Sequence, residues 1–416
     1  MSMKVLYVTS ACLTKNTSAN MSHNGYVKGL LDNGCFVDII MAKSSFGAED
    51  KVLPRWDNVN YYEFETKTFG ERLRAKLRGV SNQIHNTPSS TTSIICEKDE
   101  YKISIKDRIM GCVKDIARSL FLSIFQPDPL YPLDAAIFKS VLSFSSKYKY
   151  DIVISNSSPA ASHKIVEILT QKKKIQYDRW IQIWEDPWFY DLYGNHPESI
   201  RWEEHRLLQA ASEVYYVSPL TMMYQKRYFS DCAHKMNFVP LPFFEYEQST
   251  EKVSAVNQLV FGYFGDYYSY TRNLQPFYDA IMKTSYNAFI NGDTDLNLQS
   301  TEYIKIGGRV TLDVLAEIQN KTSVLVHLCN LRGGQIPGKI YHYSATNKKI
   351  LFILDGTDEE QKMLVDFFKP YNRYYFCKNT IDSILETIEI MKSDSSISSS
   401  IVSDFKPQNV VKAFLS

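Results

Sequence analysis

Long apolar runs are missing from this 416-residue chain. Nothing in it approaches the ~18 consecutive apolar residues of a membrane span. A signal-peptide pattern is missing too, because MSMKVLYVTS enters a strand almost at once. The seven cysteines (Cys12, Cys35, Cys96, Cys112, Cys232, Cys329 and Cys377) contain no CxxC pair, and their number is odd. That argues against a zinc site or a disulfide framework and fits a reducing compartment. The net charge of +1 gives no global reason to expect nucleic acid. These absences predict a cytoplasmic protein. What is present is ordinary for a globular chain, with 44% apolar and 22% charged residues. The length exceeds what one core usually supports, so two domains are expected.

The chain is organised around Ser323–Gly356, SVLVHLCNLRGGQIPGKIYHYSATNKKILFILDG. It reads as strand, glycine-rich loop, short helix, strand. Ser323–Leu328 and Lys349–Leu354 are the apolar runs of buried parallel strands. Between them, Arg332-Gly333-Gly334 lets the backbone approach a ligand. Pro337 suits a first helical turn, and the helix is expected from Gly338 to Thr346, with Asn347 ending it. Loops that follow parallel strands are where α/β proteins bind phosphates, and Lys339 in that first turn adds a positive charge. The plain alternative is an ordinary βαβ unit with a surface lysine.

In chain order, Lys4–Ser10 is a strand, Ala11 to Asn24 a polar loop, Gly25–Asn33 a helix and Phe36–Ala42 the next strand. This opens a doubly wound sheet, but the first loop lacks GxGxxG, which argues against a dinucleotide-dependent dehydrogenase. Its hydroxyls and amides, ending at Asn24, suit a sugar or another polyol. Leu133–Tyr148 is expected to be helical. Asp151–Ser155 is a strand followed by a helix carrying His163. Trp180–Trp184 is a strand ending in Glu185-Asp186-Pro187-Trp188. His163 and Asp186 thus sit just past parallel strands, where an imidazole and a carboxylate could handle a hydroxyl proton. Their plain roles would be a helix cap and a turn before proline. Arg201–Ala211 is a helix, and Val214–Val217 and Asn237–Pro242 are strands.

Residues 67–118 break this rhythm. They carry 11 Lys/Arg against 6 Asp/Glu, a local +5. GERLRAKLRGV and the stripe Ile105, Ile109, Val113, Ile116, Leu120 read as basic amphipathic helices around an exposed NTPSSTTS loop. Such an insertion can dock on an anionic membrane surface, or pack on its domain with a solvated basic edge.

Past the polar linker Glu245–Asn257 the βα alternation restarts. Strands are expected at Leu259–Phe264, Ala288–Asn291, Tyr303–Ile306, Ser323–Leu328, Lys349–Leu354 and Tyr374–Cys377. Helices are expected at Leu274–Thr284, Leu312–Asn320 and Glu359–Phe368, with a last helical stripe from Ile381 to Met391. Two such domains suggest a cleft between them. Arg272, after the first of these strands, would face the phosphate held at Gly333–Lys339. Asp293 and Asp295 in GDTDL have no partner carboxylates nearby in sequence, so they read as a turn rather than a metal site.

With these stretches in hand, WIQIWEDPW, FGYFGDYYSYTRN and PGKIYHYSATNKKILF, the chain resembles the GT-B glycosyltransferases over nearly its whole length. Within them it resembles the family 4-like bacterial enzymes of surface-polysaccharide assembly. The resemblance implies an α/β fold of two Rossmann-like domains facing across a central cleft. Residues 1–245 would bind the acceptor, with a helical insertion at about 67–130. Residues 258–392 would bind the nucleotide-sugar, and residues 393–416 would pack back on the first domain. Arg272 and Lys339 would pair with the donor diphosphate and Gly265 would make room for it. Gly333, Gly334, Gly338, His342 and Tyr343 would complete the donor side. Glu185 and Trp188, with Asn24, would line the acceptor side, and His163 would lie beside the transferred sugar. Transfer would go to a glycan or polyprenyl-linked acceptor, with retention and with neither metal nor cofactor. One departure stands out. The family's two glutamates, eight positions apart, fall on Gly334 and His342, so nucleotide anchoring must differ; Tyr343 and Ser344 remain as hydroxyl partners. The rival expectations are a nucleotide-sugar epimerase of similar architecture and a catalytically silent scaffold.

Overall fold

The computed structural model describes residues 2–43, 50, 53–66, 129–131, 134–157, 160–191, 196–243, 259–332, 334–394 and 396–416. The basic insertion at 67–118, the linker's core and Gly333 lie outside them. The chain divides into two compact units, Met1–Glu63 with Phe144–Ser416, and Phe64–Ser143.

The larger unit holds two parallel sheets. The first is built from β1 (Lys4–Val8), β2 (Phe36–Ala42), β3 (Val59–Phe64, which runs one residue into the second unit), β4 (Tyr150–Asn156), β5 (Tyr177–Trp184), β6 (Glu213–Tyr216) and β7 (Met236–Phe238). Their order is β3-β2-β1-β4-β5-β6-β7, and the pairs from β2 to β7 run parallel. The second sheet comprises β8 (Val260–Phe264), β9 (Asn287–Asn291), β10 (Ile304–Gly307), β11 (Val324–Leu328), β12 (Lys349–Leu354) and β13 (Tyr375–Lys378), in the order β10-β9-β8-β11-β12-β13, all parallel. Both follow the doubly wound pattern, in which the third strand precedes the second and first and the fourth lies on the other side. The expected two parallel sheets of Rossmann-like topology are what the chain forms, both within the one larger unit.

The strands read as near-continuous apolar runs because helices cover both faces of each sheet. Every residue of β11 is buried, including His327. Burial, with the Arg272 charge adding to it, lowers the His327 pKa to about 3, so it sits in the core as a neutral imidazole. In a doubly wound sheet the crevice opens where the strand order reverses, past the C-terminal ends of the central strands. Here those ends are β1 and β4 in one sheet and β8 and β11 in the other.

Several elements depart from the sequence expectation. The first helix spans Ser18–Asp32 rather than starting at Gly25, with Thr17 at its N-cap accepting from the Asn20 N–H at 3.1 Å. Its first two turns carry no apolar stripe, and the polar side chains there are buried by hydrogen bonding instead. The helix expected over Leu133–Tyr148 is shorter. Ala135–Ser140 gives way to a 3₁₀ turn, Val141–Ser143, where the Ser143 hydroxyl donates to the Ser140 carbonyl at 2.8 Å and competes with the helical ladder. The strand expected to reach Pro242 ends at Phe238, since prolines 240 and 242 cannot donate to a ladder. The helix after the glycine-rich loop is only Lys339–Tyr343. Strand β3 and the helix Pro219–Tyr228 were not anticipated, although Ser218 caps that helix and Pro219 opens it.

The chain ends by returning to the first sheet. Arg179 donates to the Phe414 carbonyl at 2.6 Å and the Ser416 carbonyl at 2.9 Å, and the Asn33 amide donates to Gln408 at 2.9 Å. Phe405, Val410, Val411 and Phe414 are buried there in a cluster shared with Tyr26 and Val27. The described cysteines (Cys12, Cys35, Cys232, Cys329 and Cys377) are unpaired. Among the described residues no helix is long and apolar enough to cross a membrane.

Candidate functional site

Between the two sheet edges lie two adjoining cavities. One, of about 380 Å³, is lined by Ser18 and Ser22 of the first helix, by Glu185 and Asp186 past β5, and by Arg272, Gln335 and His342 from the second sheet's side. The other, of about 550 Å³, is lined by Gly265 and Asp266 past β8, by Arg309 and Leu312 past β10, and by Lys339. Ser18, Arg272, Pro337 and Gly338 belong to both walls, so the two lie side by side.

The second sheet supplies the cations. Arg272 lies in the turn that follows β8, its backbone N–H bonded to the Tyr268 carbonyl at 2.8 Å. The Tyr263 hydroxyl has its pKa raised to about 12 by burial, a rise that the charge and hydrogen bond of Arg272 oppose. The Arg272 Nε is buried without a partner. Lys339 reaches the same cavity, and desolvation, reinforced by the Arg272 and Arg309 charges, lowers its pKa to about 8 against the pull of Asp266. Arg309 is different: it binds Asp266 through both ends of its guanidinium and Asp293 at 2.9 Å. Burial raises the Asp266 pKa, but Arg309 overrides this and the net shift is downward. Among the described residues neither Arg272 nor Lys339 has a carboxylate in ion-pair contact. A Cβ on Gly265 would meet the Lys339 side chain at 3.3 Å, so glycine keeps the floor of this cavity open.

The first sheet supplies carboxyls. Burial and the neighbouring Asp186 charge hold the Glu185 pKa well above the usual carboxylate range, against the opposing influence of Asn156, and its Oε1 has no partner. Behind it, the Asn156 amide donates to the Tyr7 hydroxyl at 2.9 Å, and that hydroxyl meets His23 Nδ1 at 2.7 Å. Asp186 has its pKa raised to about 6 by burial and by Asp191, offset by Gln335 and Arg272. Gln335 Nε2 donates to Asp186 Oδ1 at 2.8 Å, which ties the two edges together across the cavity.

Of the residues singled out from sequence, the structure brings Glu185, Asp186, Gly265, Arg272, Gly338, Lys339 and His342 to this pair of cavities. Burial and the Lys339 charge lower the His342 pKa to about 3, so a neutral imidazole stands where the family pattern places a carboxylate. Others are elsewhere. His163 is fully buried, bonded through Nδ1 to Ser155 at 2.8 Å and tilted over Trp184 at 4.3 Å. Burial alone lowers its pKa to about 3. It packs against the sheet and lines neither cavity. Asn24 is inside the first helix, donating to the Leu13 and Asn20 carbonyls at 3.0 and 2.8 Å; it closes the loop instead of offering its amide to a ligand. Tyr343 is buried with its hydroxyl on the Phe264 carbonyl, and the Ser344 hydroxyl donates to Ile340. Trp188 is placed by its N–H bond to Glu204 at 3.2 Å and lines neither cavity. A Cβ on Gly334 would lie 2.6 Å from the Thr221 N, so this glycine lets two backbones meet. Gly333 lies outside the described residues. Asp293 and Asp295 are held by Arg309 and Ser269, the turn that GDTDL suggested.

Sequence reasoning missed Arg309, Asp266, Gln335 and Ser18. Gly307-Gly308-Arg309, a glycine pair just past a strand, was a readable signal for the first. Nothing marked Gln335, whose partner is 149 positions away.

No protein-family model and no curated protein sequence matches this chain. Solved structures do. A glycosyltransferase from Rickettsia africae ESF-5 superposes with a TM-score of 0.50 at 12% identity, over 99% of this chain and 94% of that one. The E. coli trehalose-6-phosphate structure bound with UDP-2-fluoro glucose superposes with a TM-score of 0.52 at 9% identity, over 99% and 96%. The fold is GT-B. A UDP-GlcNAc 2-epimerase from Methanocaldococcus jannaschii is also found, with a TM-score of 0.49 at 9% identity, over 100% of this chain and 99% of that one. At these identities the GT-B likeness describes architecture alone, and the chemistry has to be argued from the residues in the cleft.

Proposed function

We propose that this protein transfers a sugar from a nucleoside-diphosphate sugar to a hydroxyl of a glycan or lipid-linked glycan, as in surface-polysaccharide assembly. The observation that carries the reading is the pair Arg272 and Lys339, two cations without carboxylate contacts facing one cavity over a glycine floor. A leaving diphosphate develops negative charge, and preorganised cations in a water-poor site stabilise it strongly. Because side chains meet that charge, no metal is required. Glu185 and Asp186 on the opposite wall would face the acceptor, with Asp186, pKa about 6, able to take a hydroxyl proton near neutrality. Retention of configuration, a cytoplasmic location and contact of the 67–118 insertion with an anionic membrane belong to the same proposal, supported by the resemblance and by that segment's charge.

One observation favours a second reading, an epimerase acting on the donor alone. Two adjacent carboxyls with raised pKa values could serve as acid and base on the nucleotide-sugar itself. A thermal-shift panel of UDP-, GDP- and CMP-sugars should show stabilisation by one donor, undiminished by EDTA. Chromatography of that donor after incubation without acceptor should then return it unchanged. Conversion to a second sugar would select the epimerase, and no stabilisation by any donor would leave a silent scaffold.

A further inference from the structure

Away from the phosphate-facing walls, a third cavity of about 300 Å³ lies on the seam between the helix Pro219–Tyr228 and the helix Asp358–Phe368. Tyr190, Tyr224 and Tyr228 line it, and the first and last of these stack at 3.6 Å between ring centroids, 14° from parallel. Gln225, also in the wall, is 1% exposed, yet neither its amide oxygen nor its amide nitrogen has a partner. The hydroxyl of Thr221, one turn earlier and 3% exposed, is likewise unpartnered. Leaving a buried amide unpaired is costly, and a chain that retains it beside a cavity has a use for it. The opposite wall offers Thr357 and Glu360, and the Tyr224 hydroxyl donates to Glu360 at 3.2 Å.

We infer that this seam cavity binds a neutral pyranose ring. Aromatic faces suit the apolar face of a sugar. An amide that can both donate and accept, with hydroxyls on two sides, suits a ring bearing hydroxyls around its whole edge. A nucleobase confines its donors and acceptors to one flat plane and carries no hydroxyls around its edge. Among the described lining residues the one cation, Arg332, and the one carboxylate, Glu360, balance, so the lining selects no net charge. Gln335 belongs to this wall and also to the wall of the carboxyl-lined cavity, so a ring seated here adjoins the cleft. The assignment uses neither Arg272 nor Lys339 and does not depend on the phosphate reading.

The test is a titration of the full-length protein with methyl β-glycosides of glucose, galactose, mannose and N-acetylglucosamine, read by saturation-transfer NMR. One of them should bind saturably, roughly tenfold more weakly to Gln225→Leu and unchanged to Arg272→Ala. Gln225→Leu removes an unpaired polar group, so it should melt no lower than wild type, which separates lost binding from lost folding. Tyr228→Ala, at a partly exposed position, should weaken the same glycoside. Saturation by none of the four, binding indifferent to Gln225→Leu and Tyr228→Ala, or uridine competing at the Gln225-dependent site would each overturn the proposal.

Discussion

At the C-terminal edge of the first sheet, the ionisable groups lining the cleft are the carboxyls Glu185, Asp186 and Asp191; at the same edge of the second they are Arg272, Arg309 and Lys339, with Asp266 and the neutral His342 among them. The two sheets share one strand order, so the topology is not what separates them. The difference lies in how each edge treats its charge. The first edge raises the pKa values of Glu185 and Asp186 by burial, while among the described residues the second leaves two cations without carboxylate contacts and neutralises only Arg309. Repeating a backbone fixes where a crevice opens; the side chains at the strand ends decide what it holds.

The largest effect expected of this contrast is at Arg272. Arg272→Ala should reduce sugar transfer by about 10²–10³ and abolish stabilisation by the preferred donor. His163→Phe should leave donor binding as it was, since that ring is buried away from both cavities. Equal turnover by wild type and Arg272→Ala would erase the distinction between the edges.

A smaller effect concerns pH. Burial lowers the Lys339 pKa to about 8, and a diphosphate favours its charged form. Donor affinity should therefore be flat below about pH 8 and fall as pH rises beyond it, by at most roughly tenfold per unit. Calorimetric titration from pH 7 to 9.5 would show this limb, and Lys339→Arg, which keeps its proton, should remove it.

The smallest effect is on stability at the first edge. Burial raises the Glu204 pKa to about 7, opposed by the N–H bonds from Phe189 and Trp188. A carboxyl raised above its unfolded value costs stability as pH climbs through that interval, because the folded form must give up a proton it holds more tightly. The melting temperature of Glu204→Gln relative to wild type should thus rise between about pH 4.5 and pH 7 and level off above. A constant difference across that range would show that Glu204 is not desolvated.

Strand periodicity carried far in this chain. The bounds of Phe36–Ala42, Lys349–Leu354 and Leu312–Asn320 match the structure residue for residue, because buried strands and amphipathic helices announce themselves through apolar spacing. The start of the Ser18–Asp32 helix and the helix Pro219–Tyr228 did not, because both bury polar side chains where spacing predicts solvent: Asn20 and Asn24 on backbone carbonyls, Thr221 and Gln225 beside the seam cavity without partners. The site divides the same way. Arg272, Lys339, Glu185 and Asp186 were legible because each follows a strand end, while His163 and Asn24 looked equally well placed and proved to be packing residues.

By itself, the order of apolar runs determined two doubly wound sheets and the loops at their crevices, since burial on both faces constrains every strand locally. Only the tertiary structure decided which of those loop residues meet. The Gln335–Asp186 bond, the seam around Gln225 and the burial that moves the Lys339 pKa depend on distances between segments far apart in the chain, and no local pattern encodes them.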